Sequence, residues 1–389
     1  MKAGSKPSGN RTLLTALYRA ALAGVDPVRA VRRALRDPEV SRRLRKARRI
    51  GIFAVGKAAA GMLAGVAGGV LNSEQALVIV PRGSAPVPAG RAEVLRSSHP
   101  EPDSSSVRAA RRAVEFFSGF GREDLILCLI SGGTSSLLCL PKPGLTLSQK
   151  RRRIRELVRS GASIEEVNRL RTSLSRVKGG GLGRETAATL VTLVLSDVPG
   201  DRPALVGSGP TIRGRRRDFV RIVASNRTGV EAARTFARSR GLAVRTHRRR
   251  LSGESAEEGA RIARAAATLK RRTVLLAGGE TTVRLNLRPG TGGRTLELAL
   301  GAARSIEGLP VALLAAGSDG RDGSSRAAGA FVDGTTLERA RRRGLSVERA
   351  LARHDTEPFF EALGDLFVTG PTGTNVCDWV FGIEAESPV

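Results

Sequence analysis

The sequence predicts an α/β fold built from two α/β domains with mostly parallel sheets. Short runs rich in Leu, Val and Ile recur along the chain without polar alternation, as parallel strands buried on both faces require. They are separated by helical stretches with Arg-rich polar faces, and alternating strand and helix argues for open sheets. Nearly every apolar run also ends abruptly in a cluster of Gly, Ser, Asp or Lys.

In chain order, the predicted strands are Ile50–Val55, Ala76–Val80, Leu125–Ile130, Val191–Leu195, Val220–Ala224, Thr273–Leu276, Val311–Ala315 and Asp365–Thr369. Helical periodicity covers Arg11–Arg36, Val107–Phe117, Gln149–Ser160 and Ser163–Arg176. The basic, Ser- and Gly-containing stretch Arg245–Gly253 is the expected boundary, which divides the chain into domains 1–248 and 249–389.

Of 389 residues, 65 are basic, 57 of them Arg, and 36 are acidic, for a net charge of +29. At 41 % apolar the chain can fill a sizeable core, made of Leu, Val and Ala because aromatics are only 3 %. That balance excludes an acidic disordered chain and a disulfide-stapled secreted domain. Cys128, Cys139 and Cys377 are never spaced as C-x-x-C, so a reduced, cytoplasmic protein is expected. Met1–Asn10 lacks the apolar core of a signal peptide. The longest uncharged stretch, Leu125–Pro141, is interrupted by Ser and Gly, so no membrane span is expected.

The Arg residues fall in runs at 42–49, 150–155, 213–217, 247–250 and 341–343. Converging on one face, such runs would bind a polyanion nonspecifically. No interleaved aromatics or zinc-finger spacing accompany them. They read as solvated helix faces, and no nucleic-acid partner is expected.

The strand ends carry more information, because open α/β sheets bind ligands beyond the carboxyl ends of their strands. Lys57 follows the first run. Ser131-Gly132-Gly133-Thr134-Ser135-Ser136 follows the third, where glycines let backbone N–H groups approach an anion. Asp197 and Asp201 follow the fourth, Glu280 the sixth, and Asp319 and Asp322 the seventh. Carboxylates in such loops hold Mg²⁺ or accept a hydroxyl proton, and equally form ordinary Asx turns. Gly292-Gly293-Arg294 sets a guanidinium fork at a helix entry, suited to a phosphate or carboxylate. Neither a P-loop nor a G-x-G-x-x-G fingerprint occurs. Among the histidines, His99 follows another short strand and is a residue to watch; His247 and His354 read as structural or solvated, His354 on a surface helix, and Cys377 reads as packing. Cations, carboxylates and glycine loops without redox apparatus suit phosphoryl transfer.

Taken together, these loops resemble the glycerate kinase family whose C-terminal half is the MOFRL domain. The strings are F-A-V-G-K-A-A-A-G-M (53–62), L-I-S-G-G-T-S-S-L-L (129–138), I-E-E-V-N-R-L-R-T-S-L-S-R-V-K-G-G (164–180) and L-S-D-V-P-G-D (195–201). G-S-G-P-T (207–211), G-G-E-T-T-V (278–283), G-G-R-T-L-E-L-A-L (292–300), G-S-D-G-R-D-G (317–323) and T-G-P-T-G-T-N-V (369–376) follow in family order.

The resemblance implies an ATP- and Mg²⁺-dependent kinase that converts D-glycerate to 2-phosphoglycerate in an inter-domain cleft. Lys57 matches the family's essential lysine, and Arg294, Glu280, Asp319 and Asn375 fall on motif positions. By this reading Lys57 and Arg294 hold the glycerate carboxylate or the transferring phosphoryl group. Asp197 serves the metal or the hydroxyl proton, and Asp319 or Asp322 holds Mg²⁺ or acts as base. Glu280, Asn375 and Ser131 orient substrate, while Gly132, Gly133, Thr134 and Ser135 bind the nucleotide phosphates. A homodimer is admitted, not required.

Two departures stand out. Thr134 replaces a small residue, commonly a third Gly, and Thr295-Leu296 replaces an Asn-Gln pair, which would strip two polar side chains from near the cleft. The rival readings are an NAD(P)H-dependent hydroxypyruvate reductase and a nucleic-acid-binding protein on a kinase-like fold.

Overall fold

A computed structural model describes residues 9–66, 75–84, 86–87, 92–162 and 164–385. By contacts the chain forms two compact units, one of Asp26–Ser225 with Gly373–Asn375, the other of the chain up to Val25, Asn226–Thr372 and the chain from Val376 onward.

The first unit carries six strands: β1 (Ile50–Val55), β2 (Gln75–Pro81), β3 (Glu93–Ser97), β4 (Leu125–Ile130), β5 (Thr189–Ser196) and β6 (Phe219–Ser225). They pair in the order β3-β2-β1-β4-β5-β6, every pair parallel. All six residues of β4 are buried, as the unbroken apolar run predicts. One face of the sheet packs Phe53, Ile79, Ile126 and Ile130 against Ala109, Ala113 and Phe117 of the helix Ser104–Ser118.

The second unit carries β7 (Ala243–Thr246), β8 (Thr273–Gly279), β9 (Val311–Gly317), β10 (Gly329–Asp333), β11 (Leu366–Phe367) and β12 (Asp378–Glu384). Their order is β11-β10-β9-β12-β8-β7. Here the expectation of mostly parallel strands is corrected. Only β7 and β8 pair in parallel; β12 runs antiparallel between β8 and β9, and β10 pairs antiparallel with β9 and β11. Its core joins Leu275, Leu313, Ala315 and Val380 of the sheet to Leu298, Ala302, Phe359 and Phe360 of the covering helices.

Other expectations shift locally. The helix expected over 11–36 is two, Gly9–Gly24 and Pro27–Leu35. Asp26 breaks it by accepting from the Arg29 N–H at 3.0 Å, with Pro27 in the first helical position. The two pieces fall in different units. Tyr18 on the first of them donates its hydroxyl to Gly317 O at 3.0 Å and stacks edge-on against Phe367 and Trp379. The strand expected over 365–369 shrinks to Leu366–Phe367.

The Arg runs are not uniformly solvated. Arg213 is buried and donates to Asp218, Thr186 O and Ala188 O. No helix among the described residues is long and apolar enough to cross a membrane.

Candidate active site

In the first unit the polar set lies at the carboxyl ends of β1, β4 and β5. Gly56 turns the chain out of β1 with φ 124°, and a Cβ there would meet Ser131 Oγ at 2.1 Å. The close approach lets the Lys57 N–H donate to Gly132 O at 2.9 Å and the Ala58 N–H donate to Ser131 Oγ at 3.1 Å. Ser131 is 1 % exposed and its N–H donates to Val55 O, so it clamps the two strand ends together.

Gly132 and Gly133 leave room for larger neighbours. A Cβ on Gly132 would fall 1.9 Å from Asp197 Oδ2. Gly133 is left-handed, φ 85°, and a Cβ there would meet His99 Cδ2 at 3.1 Å and Lys57 Cγ at 3.3 Å. Lys57, His99 and Asp197 therefore surround one glycine pair. Thr134 is turned inward: its hydroxyl donates to Ser131 O at 2.7 Å, and its Cβ presses on Gly207. That hydroxyl serves the fold, which leaves Ser135 as the hydroxyl that faces outward; it accepts from Lys178 Nζ at 3.2 Å.

Lys178 and its neighbour Lys150 were not foreseen. They are 5 % and 1 % exposed. Burial pushes the Lys178 ammonium down to about 7, with the charge of Lys150 adding to the effect, and burial also lowers Lys150. For Lys178 the available signal was scarcity and place, since it is one of only eight lysines and lies inside the string 164–180 that resembles the family; Lys150 lies outside every such string.

The second unit builds its set around Arg294, the first residue of the helix Arg294–Ser305. Its Nε and Nη2 donate to Asp378 at 2.6 and 3.2 Å, and its Nη1 donates to Glu280 Oε1 at 2.5 Å. Burial pushes the Asp378 carboxyl upward and Arg294 opposes it; the two carboxylates hold the Arg294 guanidinium firmly charged against its own burial. Asp378 was missed because it opens β12, a strand the sequence reading did not assign.

Asp319 and Asp322 separate in role. Asp319 lies at the end of β9, where its Oδ1 accepts from the Arg321 N–H at 3.3 Å. Asp322 is 3 % exposed and its Oδ2 accepts from the Leu296 N–H at 2.8 Å. It holds the first turn of the Arg294 helix, and burial pushes its carboxyl upward. Asn375 belongs with the first unit: Gly373 O lies 3.9 Å from where a Cβ on Gly61 would be, against the helix Ala59–Val66.

Two further expectations are corrected. Thr295 and Leu296 are buried, the Thr295 hydroxyl donating to Ala328 O at 3.1 Å and Leu296 joining the core. The change from Asn-Gln therefore falls inside the unit. His354 is not on a solvated helix face; its Nδ1 lies 2.9 Å from Glu297 Oε1, and both side chains are largely buried.

Among the described residues no cluster of three or more His, Cys, Asp or Glu forms a metal cage. Mg²⁺ in kinases needs no cage, since one or two carboxylates and phosphate oxygens hold it. The loop after β5 has a donor of that kind to spare, because Asp201 Oδ1, four positions beyond Asp197, is buried with no hydrogen-bond partner among the described residues.

Residues 13–236 match the family profile described as a domain of unknown function, DUF4147, and residues 273–378 match the MOFRL family. A D-glycerate 2-kinase of Thermotoga maritima is 33 % identical, covering 97 % of this chain and 99 % of the relative. A protein of Agrobacterium vitis named putative hydroxypyruvate reductase is 36 % identical, covering 95 % of this chain and 93 % of its own. The crystal structure of a glycerate kinase from Thermotoga maritima matches with a TM-score of 0.86 at 31 % identity, covering 97 % of this chain and 100 % of that one.

Proposed function

Because this chain belongs to the glycerate kinase family that joins a DUF4147 domain to a MOFRL domain, we propose that it transfers the γ-phosphoryl group of ATP to the 2-hydroxyl of D-glycerate. The products are 2-phosphoglycerate and ADP. The observation that carries this reading is the glycine pair Gly132-Gly133, enclosed by Lys57, His99 and Asp197 at the ends of parallel strands. That is where an open α/β sheet presents ligands, and the set offers charge neutralisation and a base without redox groups.

The residue roles follow from charge and access. Lys57 and Arg294 neutralise the substrate carboxylate or the phosphoryl oxygens. Asp197 or Asp319 takes the hydroxyl proton as the substrate oxygen bonds to phosphorus and the ADP oxygen leaves. Glu280 and Asn375 orient the acceptor, while Ser131 and Asp322 act through the backbone they hold. Asp197, with Asp201 beside it, and Asp319 are the carboxylates suited to Mg²⁺, which when bound neutralises phosphate charge. We assign the DUF4147-type part to residues 1–248 and the MOFRL-type part to 249–389; the compact units divide otherwise, with residues 9–25 and 226–248 in the second unit, and a cytoplasmic enzyme with small-molecule partners accords with this reading.

The test is glycerate-dependent ADP release by the wild type and by Lys57→Ala and Arg294→Ala. Each substitution is expected to lower kcat/KM by on the order of 10² or more. Values within about threefold of wild type would remove these residues from the reaction. The name carried by the Agrobacterium vitis relative keeps hydroxypyruvate reduction as the second reading, recognised by NAD(P)H oxidation without ADP formation.

A further inference from the structure

A cavity of about 420 Å³ opens in the first unit behind the glycine loop, lined by Ser135, Ser136, Cys139, Lys150, Lys178 and Arg171 on its inner side. The helix Leu147–Arg159, which carries Lys150, and the segment Pro100–Pro102 supply the rest of its lining. Its volume suits a small-molecule ligand and far exceeds the needs of a three-carbon acid.

The charge in this cavity is uncompensated. Lys150 Nζ is buried and has no hydrogen-bond partner among the described residues. Among the described residues, Lys178 bonds the neutral Ser135 hydroxyl and Arg171 bonds Asn168 Oδ1 at 3.4 Å. The one carboxylate in the lining, Glu101, is taken by Arg151. Burying an amine without a carboxylate to pair it is costly, and a fold that keeps two such amines beside an arginine suits a ligand with several negative charges. Ile154, Val158, Pro100 and Pro102 supply an apolar wall beside the cations.

We propose that this cavity binds the phosphoryl donor, a nucleoside triphosphate, with Lys150, Lys178 and Arg171 on its phosphate chain and the Ile154–Val158 wall against its base. A monocarboxylate would leave most of the cavity's positive charge unmatched, whereas a polyphosphate matches it. Ser135 sits at the junction, in the glycine loop and in the cavity lining at once, so a phosphate chain held here ends beside Gly132 and Gly133. The inference rests on the kinase reading and names where in the first unit its nucleotide is held.

The experiment measures ATP binding by calorimetry without acceptor, and separate KM values for ATP and D-glycerate, for wild type, Lys150→Met, Lys178→Met and Val158→Trp. Lys150→Met and Lys178→Met remove a buried charge and should fold, which melting curves check. Val158 is half-exposed, so a Trp there partly fills the cavity without disturbing the core. Lys150→Met and Lys178→Met are each expected to weaken ATP at least about tenfold, the scale of a lost charge-assisted hydrogen bond, and Val158→Trp to weaken it by occupying the cavity, with the KM for glycerate changed less than twofold in all three. Unchanged ATP affinity in all three overturns the proposal, as does a loss confined to glycerate. If wild type binds ATP in a Lys150-dependent manner yet does not phosphorylate glycerate, the cavity assignment stands and the proposed activity fails. If it phosphorylates glycerate and all three variants keep its ATP affinity, the activity stands and the cavity assignment fails.

Discussion

Arg294 grips Asp378 with two N–H groups, Nε to Oδ2 at 2.6 Å and Nη2 to Oδ1 at 3.2 Å. The pair links the first residue of a helix to the first residue of β12, so the guanidinium is aimed by two elements at once. Asp378 is 5 % exposed at its side chain, whereas Glu280, the second partner, is 37 % exposed. Removing Asp378 breaks the buried two-bond pair and leaves the guanidinium with the exposed Glu280 alone, while removing Glu280 leaves the buried pair intact. Asp378→Ala should cost about 3 kcal/mol in urea unfolding, and Glu280→Ala less than about 1 kcal/mol. Equal costs would mean that burial does not decide this site.

Gly132 tests the first unit. A Cβ there would fall 1.9 Å from Asp197 Oδ2, so Gly132→Ala must push the carboxylate or the loop aside. Kinase activity should fall on the order of 10²-fold, the usual cost of a displacement near 1 Å, with a cooperative melt retained. Activity near wild type would show that Asp197 need not lie against this loop.

Asp319 and Asp322 should part company on substitution. Asp322→Ala loses a buried bond to the Leu296 N–H and should cost about 1–2 kcal/mol of stability. Asp319→Asn should leave unfolding within about 0.5 kcal/mol and reduce kcat. Denaturant unfolding beside steady-state rates separates the two, and a pattern reversed between them would exchange their roles.

Lys178 makes stability depend on pH. Its ammonium titrates near 7 in the folded chain against a usual 10.5, so between those values the unfolded chain holds more protons. Stability attributable to this group therefore rises with pH from about 7 to about 10, and its burial cost is fully felt below pH 7. Lys178→Met should raise Tm most at pH 6 and converge on wild type near pH 10. Parallel curves would show that the ammonium is not buried in solution.

Much of this arrangement is legible in the sequence because parallel strands buried on both faces leave unbroken apolar runs. β1 and β4 begin and end where Ile50–Val55 and Leu125–Ile130 do. The second sheet is less legible: β12 pairs with β8 and β9, roughly 60 to 110 residues upstream, and no local pattern announces so distant an antiparallel insertion. Lys57, Asp197 and Arg294 were readable because glycines and strand ends flag them. Lys150 was not, since its helix reads as one polar Arg-rich face and only tertiary packing buries that single amine. Thr295-Leu296 misled for the opposite reason, because closeness in sequence to Arg294 does not place a side chain on the same side of a helix.

The most direct test of the central claim is the product formed when purified protein, ATP, Mg²⁺ and D-glycerate are combined, read by phosphorus NMR. The account predicts 2-phosphoglycerate and ADP in equal amounts, with the signal lost in Lys57→Ala. NAD(P)H oxidation by hydroxypyruvate, with no ADP and no phosphorylated glycerate, would contradict it.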